Sequence, residues 1–515
     1  MKALKYMSVA LVLAAALASC SKDFLDAEDY SVLTPDEAAQ VAAKNADSYL
    51  NGIWSANVDA TEHDEFGIMS TLLYFEVMTE DIAFHNRSWF IFDHDLDYRG
   101  EQYVRAYDVW SLFYTNISRA NEIISLYPEG PKTDEDKALA GQAYALRGWA
   151  YYYLIQIYQD YMSWTGTEAE GQLTPINRDA KGVPIIYVTQ DGKSTDEAIA
   201  FTGRNTVGAV LDECERNLVK AVTLLTEANY TRPADENGKD FIDASVANGL
   251  LARYYLLVQK WPEAAAAAKL ARAGYGLRTP EELKDGFMDV TASDVMWGFN
   301  HTTETQTTYA SFFSHMSNYA PGYSGLDYAA KLIDARLYAQ IDASDLRRDL
   351  FNGPKGWSGG PQAGAKLPYA NLKFGDDGNW TMDYIYMRSP EMVLIEAEAE
   401  ARQGNIAAAG AVLKELLDVR TKGGTWDSSA FVALTQQQAI NYILLQRRIE
   451  LWGEGFAYFD LKRNNKGMDR NYSGSNHLSG HLLTVPAHDV LWTYQIPMRE
   501  WQNNDLIDGD KDQNP

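Results

Sequence analysis

Residues 356–360 (GWSGG) match the spacing of a catalytic serine motif. In α/β-hydrolases the pattern G-x-S-x-G places a nucleophilic serine on a sharp turn between a strand and a helix. Pro354 and Pro361 flank the motif here, and proline is poorly tolerated inside both of those elements. We therefore interpret the segment as a loop and expect no nucleophile at Ser358.

Side chains that can bind metal ions gather near the C-terminus. They are His477, His481 and His488, followed by Asp508, Asp510 and Asp512. The histidines lack the H-E-x-x-H and Cys/His spacings of zinc sites, and Gly480 interrupts the first pair, which favours solvated surface histidines. The aspartates alternate as in a calcium loop but lack its closing glutamate, which favours a solvated tail. The sequence thus predicts neither a metal site nor a cofactor.

Acidic residues outnumber basic ones along the chain. The 515 residues include 71 Asp and Glu against 45 Lys and Arg, a formal net charge of −26, and 46% are hydrophobic. Nucleic acids and anionic lipid surfaces are bound through Lys and Arg, so the charge argues against both partners, while the apolar share is enough for a large core. So many carboxylates leave open a pair spaced for glycoside hydrolysis, although no pattern points to one.

The first residues have the features of an export signal. Two lysines precede an apolar stretch from Met7 to Leu17, and Leu-Ala-Ser-Cys, ending at Cys20, resembles the lipobox of bacterial lipoproteins. We predict a signal peptide over residues 1–19 and acylation of Cys20, because two or more acyl chains anchor a protein stably. Residues 20–33 are polar and acidic, which predicts a tether. The alternative is an ordinary secreted protein.

Three capping signals predict where helices begin. Thr34 opens a helix that continues through Ile53, Thr206 opens one with an apolar stripe that includes Cys214, and Thr435 opens a third with Gln438 at the capping-box position. The place of Cys214 on the stripe predicts a buried thiol that acts as a small apolar residue.

Internal repetition indicates the fold class. Residues 246–274 and 392–417 share the spacing of small and aromatic residues of tetratricopeptide helix pairs, and a third copy begins at residue 140 with its second helix displaced to residue 206. The sequence therefore predicts a mostly α-helical, tetratricopeptide-like scaffold that forms a single domain over residues 34–515. Trp110, Trp149 and Trp452 fall inside helical patterns and are expected in the core.

Irregular insertions at about 160–205, 275–330 and 351–381 interrupt this scaffold. The first contains VPIIYV, a predicted short strand, and the last is dense in glycine and proline yet rich in aromatic residues. Loops of this length inside a compact protein are functional or disordered, and the aromatic content favours function.

Segments along the chain resemble, in order, the SusD-like (SusD/RagB) nutrient-binding lipoproteins of the Bacteroidetes. The matching stretches are SCSKDFLD, NISRANEII with LRGWAYYYLIQIYQD and GVPI, YMRSPEMVLIEAEAEARQGN, ILLQRRIELWGEGFAYFDLKRNN, and the ending TYQIPMREWQNNDLIDGDKDQNP. Gln446 and Ile449 stand where the family pattern has acidic and basic residues, and residues 456–458 replace a more basic stretch. These departures touch a helix that we interpret as structural.

The resemblance implies a cell-surface lipoprotein, attached to the outside of the outer membrane, that binds glycan or sometimes peptide. It also implies a partner, a SusC-like TonB-dependent transporter on which the protein sits as a lid. In this family the binding residues lie in the variable insertions, so the resemblance transfers none of them to this chain.

Sugar chemistry indicates the candidate binding residues instead. A sugar ring has one fairly apolar face and a rim of hydroxyl groups, so a neutral glycan needs exposed aromatic rings beside hydrogen-bonding side chains. The candidates are Asn86, Arg87 and Trp89, then Tyr319 and Tyr323, and finally Trp357 and Trp380 in the glycine-rich insertion. We expect some of these side chains to converge.

A second hypothesis is a tetratricopeptide-like envelope adaptor that binds proteins or peptides and no sugar. The two hypotheses differ in where aromatic side chains lie. A glycan receptor should expose several rings on one surface, whereas an adaptor should line a helical groove with Asn, Lys and apolar side chains.

Overall fold

Antiparallel helix pairs make up most of the computed structural model, which describes residues 46–160, 171–186, 203–234 and 236–515. Within these ranges the α-helices are α1 Ala46–Val58, α2 Ile68–Val77, α3 Ile91–His94, α4 Val104–Ser125, α5 Asp134–Ile157, α6 Val207–Glu227, α7 Ala244–Leu257, α8 Trp261–Ala271, α9 Phe312–Met316, α10 Ala335–Gln340, α11 Ser389–Arg402, α12 Ile406–Arg420, α13 Ser429–Val432, α14 Gln436–Glu450, α15 Ala457–Arg463 and α16 Met498–Asn503. In this part of the chain no helix is both long and apolar enough to span a membrane.

The predicted repeats are confirmed as packed helix pairs. Helix α5 packs on α6, α7 on α8, and α11 on α12, while α8 also packs on α11 and joins successive pairs. Ala252, Ala264 and Ala268 are completely buried, so small side chains lie where helices α7 and α8 approach each other. The fold class is the predicted one, a helical scaffold of tetratricopeptide-like pairs.

Local capping signals are also confirmed where the structure describes them. The Thr206 hydroxyl accepts from the backbone N–H of Ala209, and Thr435 forms a capping box with Gln438. Cys214 is a free, completely buried thiol that donates to the carbonyl of Gly148 at 3.2 Å. The start of the helix predicted from Thr34 lies outside the described residues.

Short antiparallel strand pairs hold the insertions to the scaffold. The strands are β1 Ala60–Glu62, β2 Glu65–Phe66, β3 Ile82–Phe84, β4 Val295–Phe299, β5 Lys331–Ile333, β6 Tyr384–Arg388, β7 Met468–Asp469 and β8 Thr484–Val485. They pair as β1–β2, β3–β5, β4–β6 and β7–β8. The β3–β5 and β4–β6 pairs join segments that are far apart in sequence, whereas β1–β2 and β7–β8 each close a local loop.

The insertion at 275–330 is more ordered than predicted. It contains the fully buried strand β4 (VMWGF) and helix α9. A strand buried on both faces has no polar alternate positions, so its sequence shows no alternation. The strand predicted at VPIIYV is not formed over residues 183–186, and the last two residues of the motif lie outside the described ranges. The core prediction is confirmed, since Trp110, Trp149 and Trp452 are at most 4% exposed.

The sequence predicts a solvated C-terminal tail, but the tail is anchored to the rest of the protein. The Asn514 amide donates to the carbonyls of Tyr158 (2.6 Å) and Tyr494 (2.8 Å), and Asp512 forms an ion pair with Lys181. Of the three alternating aspartates, Asp508 and Asp510 are exposed and Asp512 is half-buried. The alternating aspartates thus belong to a docked chain end.

A buried carboxylate ties the scaffold together at the end of α14. Glu450 accepts two 3.0 Å hydrogen bonds from Arg420, and further bonds from Arg347 (3.2 Å) and Arg388 (3.3 Å). Burial raises the pKa of Glu450, but Arg420, Arg388 and Arg347 together hold this pKa well below its usual range. The carboxylate is therefore charged at neutral pH.

We expect Glu450→Gln to lower the free energy of unfolding by about 3–5 kcal/mol, because three buried guanidinium groups lose a shared countercharge. Urea denaturation at neutral pH measures this. The matched control is Glu415→Gln, which removes a half-exposed partner of Arg272 and should cost less than about 1 kcal/mol. The Glu450 contribution is lost only as the pH falls below the ordinary glutamate range. Equal effects of the two substitutions would contradict the role assigned to Glu450.

Candidate functional site

Two loops meet because strands β3 and β5 pair. In the antiparallel register Phe84 lies opposite Lys331, so residues 85–89, which follow β3, lie beside the residues that precede β5. The His85 backbone N–H donates to the carbonyl of Ala330 at 3.2 Å, and its Nε2 lies 2.9 Å from Asp327 Oδ1. Segments about 240 residues apart in sequence are thereby brought together.

The β1–β2 hairpin adds a third segment to this surface. Its turn contains His63 and Asp64, and Arg105 and Tyr74 each donate to Asp64 at 2.6 Å, one to the carboxylate and the other to the carbonyl. His315 Nε2 donates to the carbonyl of His63 at 2.8 Å. The position of the turn is therefore fixed by buried side chains from α2, α4 and α9.

Five aromatic rings meet where these segments converge, and we call them the ring cluster. They are His63, Trp89, Tyr309, Tyr323 and Tyr328. The His63 ring lies 5.5 Å from Trp89 and 6.4 Å from Tyr309, with planes inclined by only 23° and 12°. Tyr323 lies 5.9 Å from Trp89, 5.2 Å from Tyr309 and 6.2 Å from Tyr328. The rings form one continuous aromatic surface.

This surface is open to solvent on one side and supported on the other. Trp89 is 37% exposed, Tyr309 42% and Tyr328 56%. Beneath them Tyr323 stacks on the buried ring of His315 at 4.9 Å, which in turn contacts buried Phe90. Rings that are supported by buried side chains on one face and exposed to solvent on the other can accept the apolar face of a ligand without rearrangement.

Polar groups border the rings. Asn86 and Arg87 are exposed on the segment that also contains Trp89, and His63 Nδ1 shares a 2.5 Å hydrogen bond with the Tyr323 hydroxyl. The His85–Asp327 pair lies on the same two loops. Amide, guanidinium and carboxylate groups can each bond adjacent hydroxyls of a sugar. The arrangement thus combines stacking faces with directional polar partners.

The structure brings only some of the predicted residues together. Trp89 and Tyr323 belong to the ring cluster, whereas Tyr319 and Trp357 form a separate pair at 6.5 Å. The loop that contains Tyr319 and Tyr323 contacts the loop that contains Trp357, since the backbone N–H of Gly364 donates to the carbonyl of Gly325. Trp380 is half-buried in another loop, where its backbone N–H donates to the Asp377 carboxylate at 2.8 Å.

Sequence reasoning missed His63, Tyr309 and Tyr328. His63 lies at a hairpin turn, where exposed polar residues are ordinary, and the two strands are too short to show alternation. Tyr309 and Tyr328 lie in the insertion at about 275–330, which also contains the predicted candidates Tyr319 and Tyr323. The tyrosines of this insertion were the available signal, although residue type does not say which rings face solvent.

The prediction that residues 356–360 form a loop is confirmed. The Trp357 N–H donates to the carbonyl of Lys366 at 3.2 Å, and Trp357 and Ser358 are both exposed. Within the described residues the turn is preceded by no strand and followed by only a short 3₁₀ segment. The geometry of a nucleophile elbow is missing at Ser358.

The prediction of solvated histidines is wrong, because all three are packed and paired. His477 is buried, the His488 side chain is 5% exposed with Nδ1 3.0 Å from Asp160, and His481 Nδ1 lies 2.6 Å from Asp95. These partners are remote in sequence, so spacing within the C-terminal segment could not reveal them.

One of these histidines belongs to a group with metal-binding residue types. His94, Asp95 and His481 place ligand atoms within 4.8 Å of one another. However, Arg470 donates to His94 Nδ1 at 3.1 Å, and burial and then the Arg470 charge hold the His94 pKa well below its usual range. A guanidinium group against the imidazole lone pair disfavours a cation there, so we interpret the group as a hydrogen-bond relay.

A cleft of about 1230 Å³ lies next to α14. Among its lining residues Arg448 is paired with Asp81 and Arg336 with Glu80, and Trp261 lies under the Arg402 guanidinium at 5.3 Å. The charges of these residues are already compensated within the protein. The cleft resembles the polar groove of an adaptor more than a stacking site.

Comparison with known proteins gives the family. A family model described as "Starch-binding associating with outer membrane" (SusD-like) matches residues 23–256, and a model of the SusD family matches residues 362–514. The chain belongs to the SusD/RagB family. This confirms the resemblance drawn from the sequence, and the two matched regions leave out residues 257–361, which contain Tyr309, Tyr323 and Tyr328.

Solved structures share the SusD-like fold. A SusD-like carbohydrate binding protein from Bacteroides vulgatus superposes with a TM-score of 0.73 at 24% identity, over 90% of this chain and 97% of its own. A SusD superfamily protein from Bacteroides thetaiotaomicron gives 0.70 at 20% identity, over 92% and 99%. A laminarin-binding SusD-like protein gives 0.62 at 18% identity, over 92% and 99%. A search among functionally curated proteins found no match.

A lysine is buried beneath the ring cluster of this SusD/RagB protein. Lys331 is completely buried on β5, its Nζ donates to the carbonyl of Ala329 at 2.8 Å, and it lies 4.4 Å from the centre of the Phe84 ring. Burial lowers the pKa of Lys331 from its usual 10.5 to about 7. The residue therefore reduces stability at neutral pH, since the unfolded chain holds a proton that the folded chain binds weakly.

We expect Lys331→Met to raise the free energy of unfolding by about 1–3 kcal/mol near neutral pH. Between the folded and unfolded pKa values the unfolded state binds more protons, so the contribution of Lys331 to stability falls as the pH falls from about 10 to about 7. The gain should accordingly be larger at pH 7 than at pH 10 in urea denaturation. Lys366→Met, at an exposed position, is the control and should change little. A destabilised Lys331 variant would refute this assignment.

Proposed function

We propose that this SusD/RagB protein is a cell-surface lipoprotein that captures neutral oligosaccharide or polysaccharide on the ring cluster. The observation that carries the proposal is the pair of solvent-exposed rings of Trp89 and Tyr309, which both contact the half-buried ring of Tyr323, with polar side chains at their border. A monomeric protein gains nothing in stability from large rings exposed to water, so their clustering on one surface favours a ligand.

The expected affinity follows from the number of rings. If two or three rings each contribute about 1 kcal/mol and hydrogen bonds contribute roughly the same, dissociation constants are micromolar to millimolar. Weak binding suits a receptor that passes its ligand onward. A negatively charged surface, with a net charge of −26, also favours an uncharged glycan over an anionic one.

The names of the relatives support this class of ligand. The matching family model is described as starch-binding and associated with the outer membrane, and one structural neighbour binds laminarin. Starch and laminarin are both neutral glucans, which is consistent with a site built of rings and amides rather than of unpaired lysines.

The proposed pathway extends from the lipid anchor to the membrane channel. Cys20, which lies outside the described residues, would attach the protein to the outer membrane facing the exterior. The captured glycan would then be delivered to a SusC-like TonB-dependent transporter. The family name that associates these proteins with the outer membrane supports this location.

We propose binding without catalysis. Glu65 and Asp108 form a carboxyl pair at the base of the hairpin, and burial together with a hydrogen bond to Glu65 raises the pKa of Asp108 to about 8. Carboxyl groups that share a hydrogen bond are closer than the roughly 5–9 Å separation that glycoside hydrolysis requires. The pair therefore fits a structural role at the base of the hairpin.

The adaptor hypothesis has one specific observation in its favour, the cleft beside α14. Gln436, Gln437 and Asn441 line it, and amide side chains of this kind bind extended peptide backbones. Failure to bind any glycan, with tight binding to a protein other than a TonB-dependent channel, would favour this function over glycan capture.

We expect Trp89→Ala to abolish retention in affinity electrophoresis on gels that contain amylopectin, laminarin, xylan or mannan, whichever retains the wild-type protein. Removing a central ring should weaken binding by at least about tenfold. The melting temperature should change by less than about 2 °C, because the ring is supported but not enclosed.

Two further variants sharpen this test. Trp357→Ala asks whether the Tyr319–Trp357 pair is a second stacking site, and Leu270→Ala, at a residue 61% exposed on α8, controls for general surface changes. A Trp89 variant that loses stability and retention together would mean that Trp89 is a core residue. No retention of the wild type on any of the four polysaccharides would argue against the proposed function.

We expect Cys20→Ser to release the protein from the outer membrane. The substitution removes the thiol that would be acylated, and a single remaining segment of polar tether has no affinity for lipid. Membrane fractionation and mass analysis of the mature N-terminus measure this, with Cys214→Ser as the control for loss of a thiol elsewhere. Persistent membrane attachment of the Cys20 variant would contradict lipid anchoring.

A further inference from the structure

A second group of aromatic rings lies outside the ring cluster and is exposed. Phe92 lies 5.0 Å from Tyr98 with planes inclined by 28°, and Tyr98 lies 5.2 Å from Tyr103. Phe92 is 43% exposed and Tyr103 37%, while Tyr98 is half-buried between them. We call these three residues the distal rings. Neither the family resemblance nor the predicted candidates included them.

The backbone turns Phe92 outward. Phe90 and Leu96, on either side of α3, have positive φ angles of 71° and 60°, which are unfavourable for residues with large side chains. Both of these side chains are buried, at 3% and 2% exposed, whereas Phe92 between them faces solvent. The chain therefore tolerates strain to place apolar neighbours inside while Phe92 stays outside.

One buried arginine connects the distal rings to the ring cluster. Arg105 lies 3.7 Å from the centre of the Tyr74 ring and 5.6 Å from that of Tyr98. It donates to Asp93 at 2.8 Å and to Asp64 at 2.6 Å, and Asp64 is the hairpin residue next to His63. The same guanidinium group thus holds both ring groups in place.

The two groups are also neighbours along the chain. Trp89 and Phe92 are three residues apart, so their Cα atoms are separated by no more than about 11 Å. This is a span that a few sugar units of one glycan chain can cover. Trp89 and Phe92 therefore lie within the reach of one glycan chain.

We propose that the distal rings form an additional subsite for the same glycan chain, so that the protein selects polymers over short oligosaccharides. This inference rests on the proposed function. The chemistry matches that of the ring cluster, since Asp97 and Gln102 are exposed beside the rings and can bond sugar hydroxyls. A long chain engages both ring groups at once, whereas a disaccharide engages only one of them, and linked contacts raise overall affinity.

The charge and size of the patch favour a glycan over a protein partner. Three rings bordered by an acid and an amide offer much less apolar area than the core of a stable protein–protein interface. The rings are instead spaced about 5 Å apart and differently inclined, an arrangement that suits successive sugar rings of a curved or twisted chain.

The test compares a polymer with its own disaccharide. The probes are amylopectin, laminarin, xylan and mannan, and calorimetry with the polymer that retains the wild type gives its Kd, while ligand-observed NMR measures the weaker disaccharide. Phe92→Ala and Tyr103→Ala should each weaken polymer binding about fivefold, the factor that corresponds to about 1 kcal/mol, and together about 25-fold. Disaccharide binding should remain unchanged, and Leu270→Ala should affect neither ligand.

Each other outcome overturns the inference in a recognisable way. Unchanged polymer binding in the double variant, with binding still lost in Trp89→Ala, would leave the proposed function intact and refute the distal subsite. Equal losses for polymer and disaccharide would place the distal rings inside the primary site. A wild-type protein that binds none of the four polymers would remove the proposed function, and with it the subsite. Both substitutions are at exposed positions, and an unchanged melting temperature verifies that the variants fold.

Discussion

The buried carboxylate of Glu450 and its arginines constrain the rest of the structure. Charges removed from water must be matched by near-ideal partners, so Arg420 at the end of α12, Arg388 at the end of β6 and Arg347 can each occupy one position only. Such a cluster fixes the relative positions of the elements that contribute its side chains. The helical pairs and the insertions are therefore held in one relative arrangement rather than in several of similar energy.

Residues on either side of Glu450 also contact the chain just before the strand that leads to the ring cluster. Arg448, two residues before Glu450 in α14, donates to Asp81 at 3.0 Å, and Trp452 Nε1 donates to the carbonyl of Asp81 at 2.9 Å. Asp81 directly precedes β3, which leads to Trp89. A weak ligand can be bound without an ordering cost only if the rings are already in position, and this connection supplies that condition.

Local patterns predicted the scaffold but could not predict the site. The caps at Thr206 and Thr435 and the buried stripe around Cys214 depend on residues within one or two helical turns, so the sequence displays them directly. The ring cluster depends on the register of β3 with β5 and on a hairpin of five strand residues, which bring His63, Trp89 and Tyr323 together across 260 positions. Trp89 and Tyr323 could be proposed from residue type, but their contact and the part played by His63 could not. The paired histidines show the same limit, because Asp95 and Asp160 are remote from them in sequence.

The division between shared motif and individual site has a physical basis. The segment RRIELWGEG, which carries the family resemblance, supplies Glu450, Glu454 and Arg448, whose partners lie in several different elements. A change in one of these residues would leave a buried charge unpaired and cost several kcal/mol, so the motif can vary little without loss of the fold. An exposed ring such as Phe92 or Tyr309 has no such partners, and its replacement alters only the surface offered to a ligand. Stability and ligand choice therefore reside in different residues, and a common frame can present different binding surfaces.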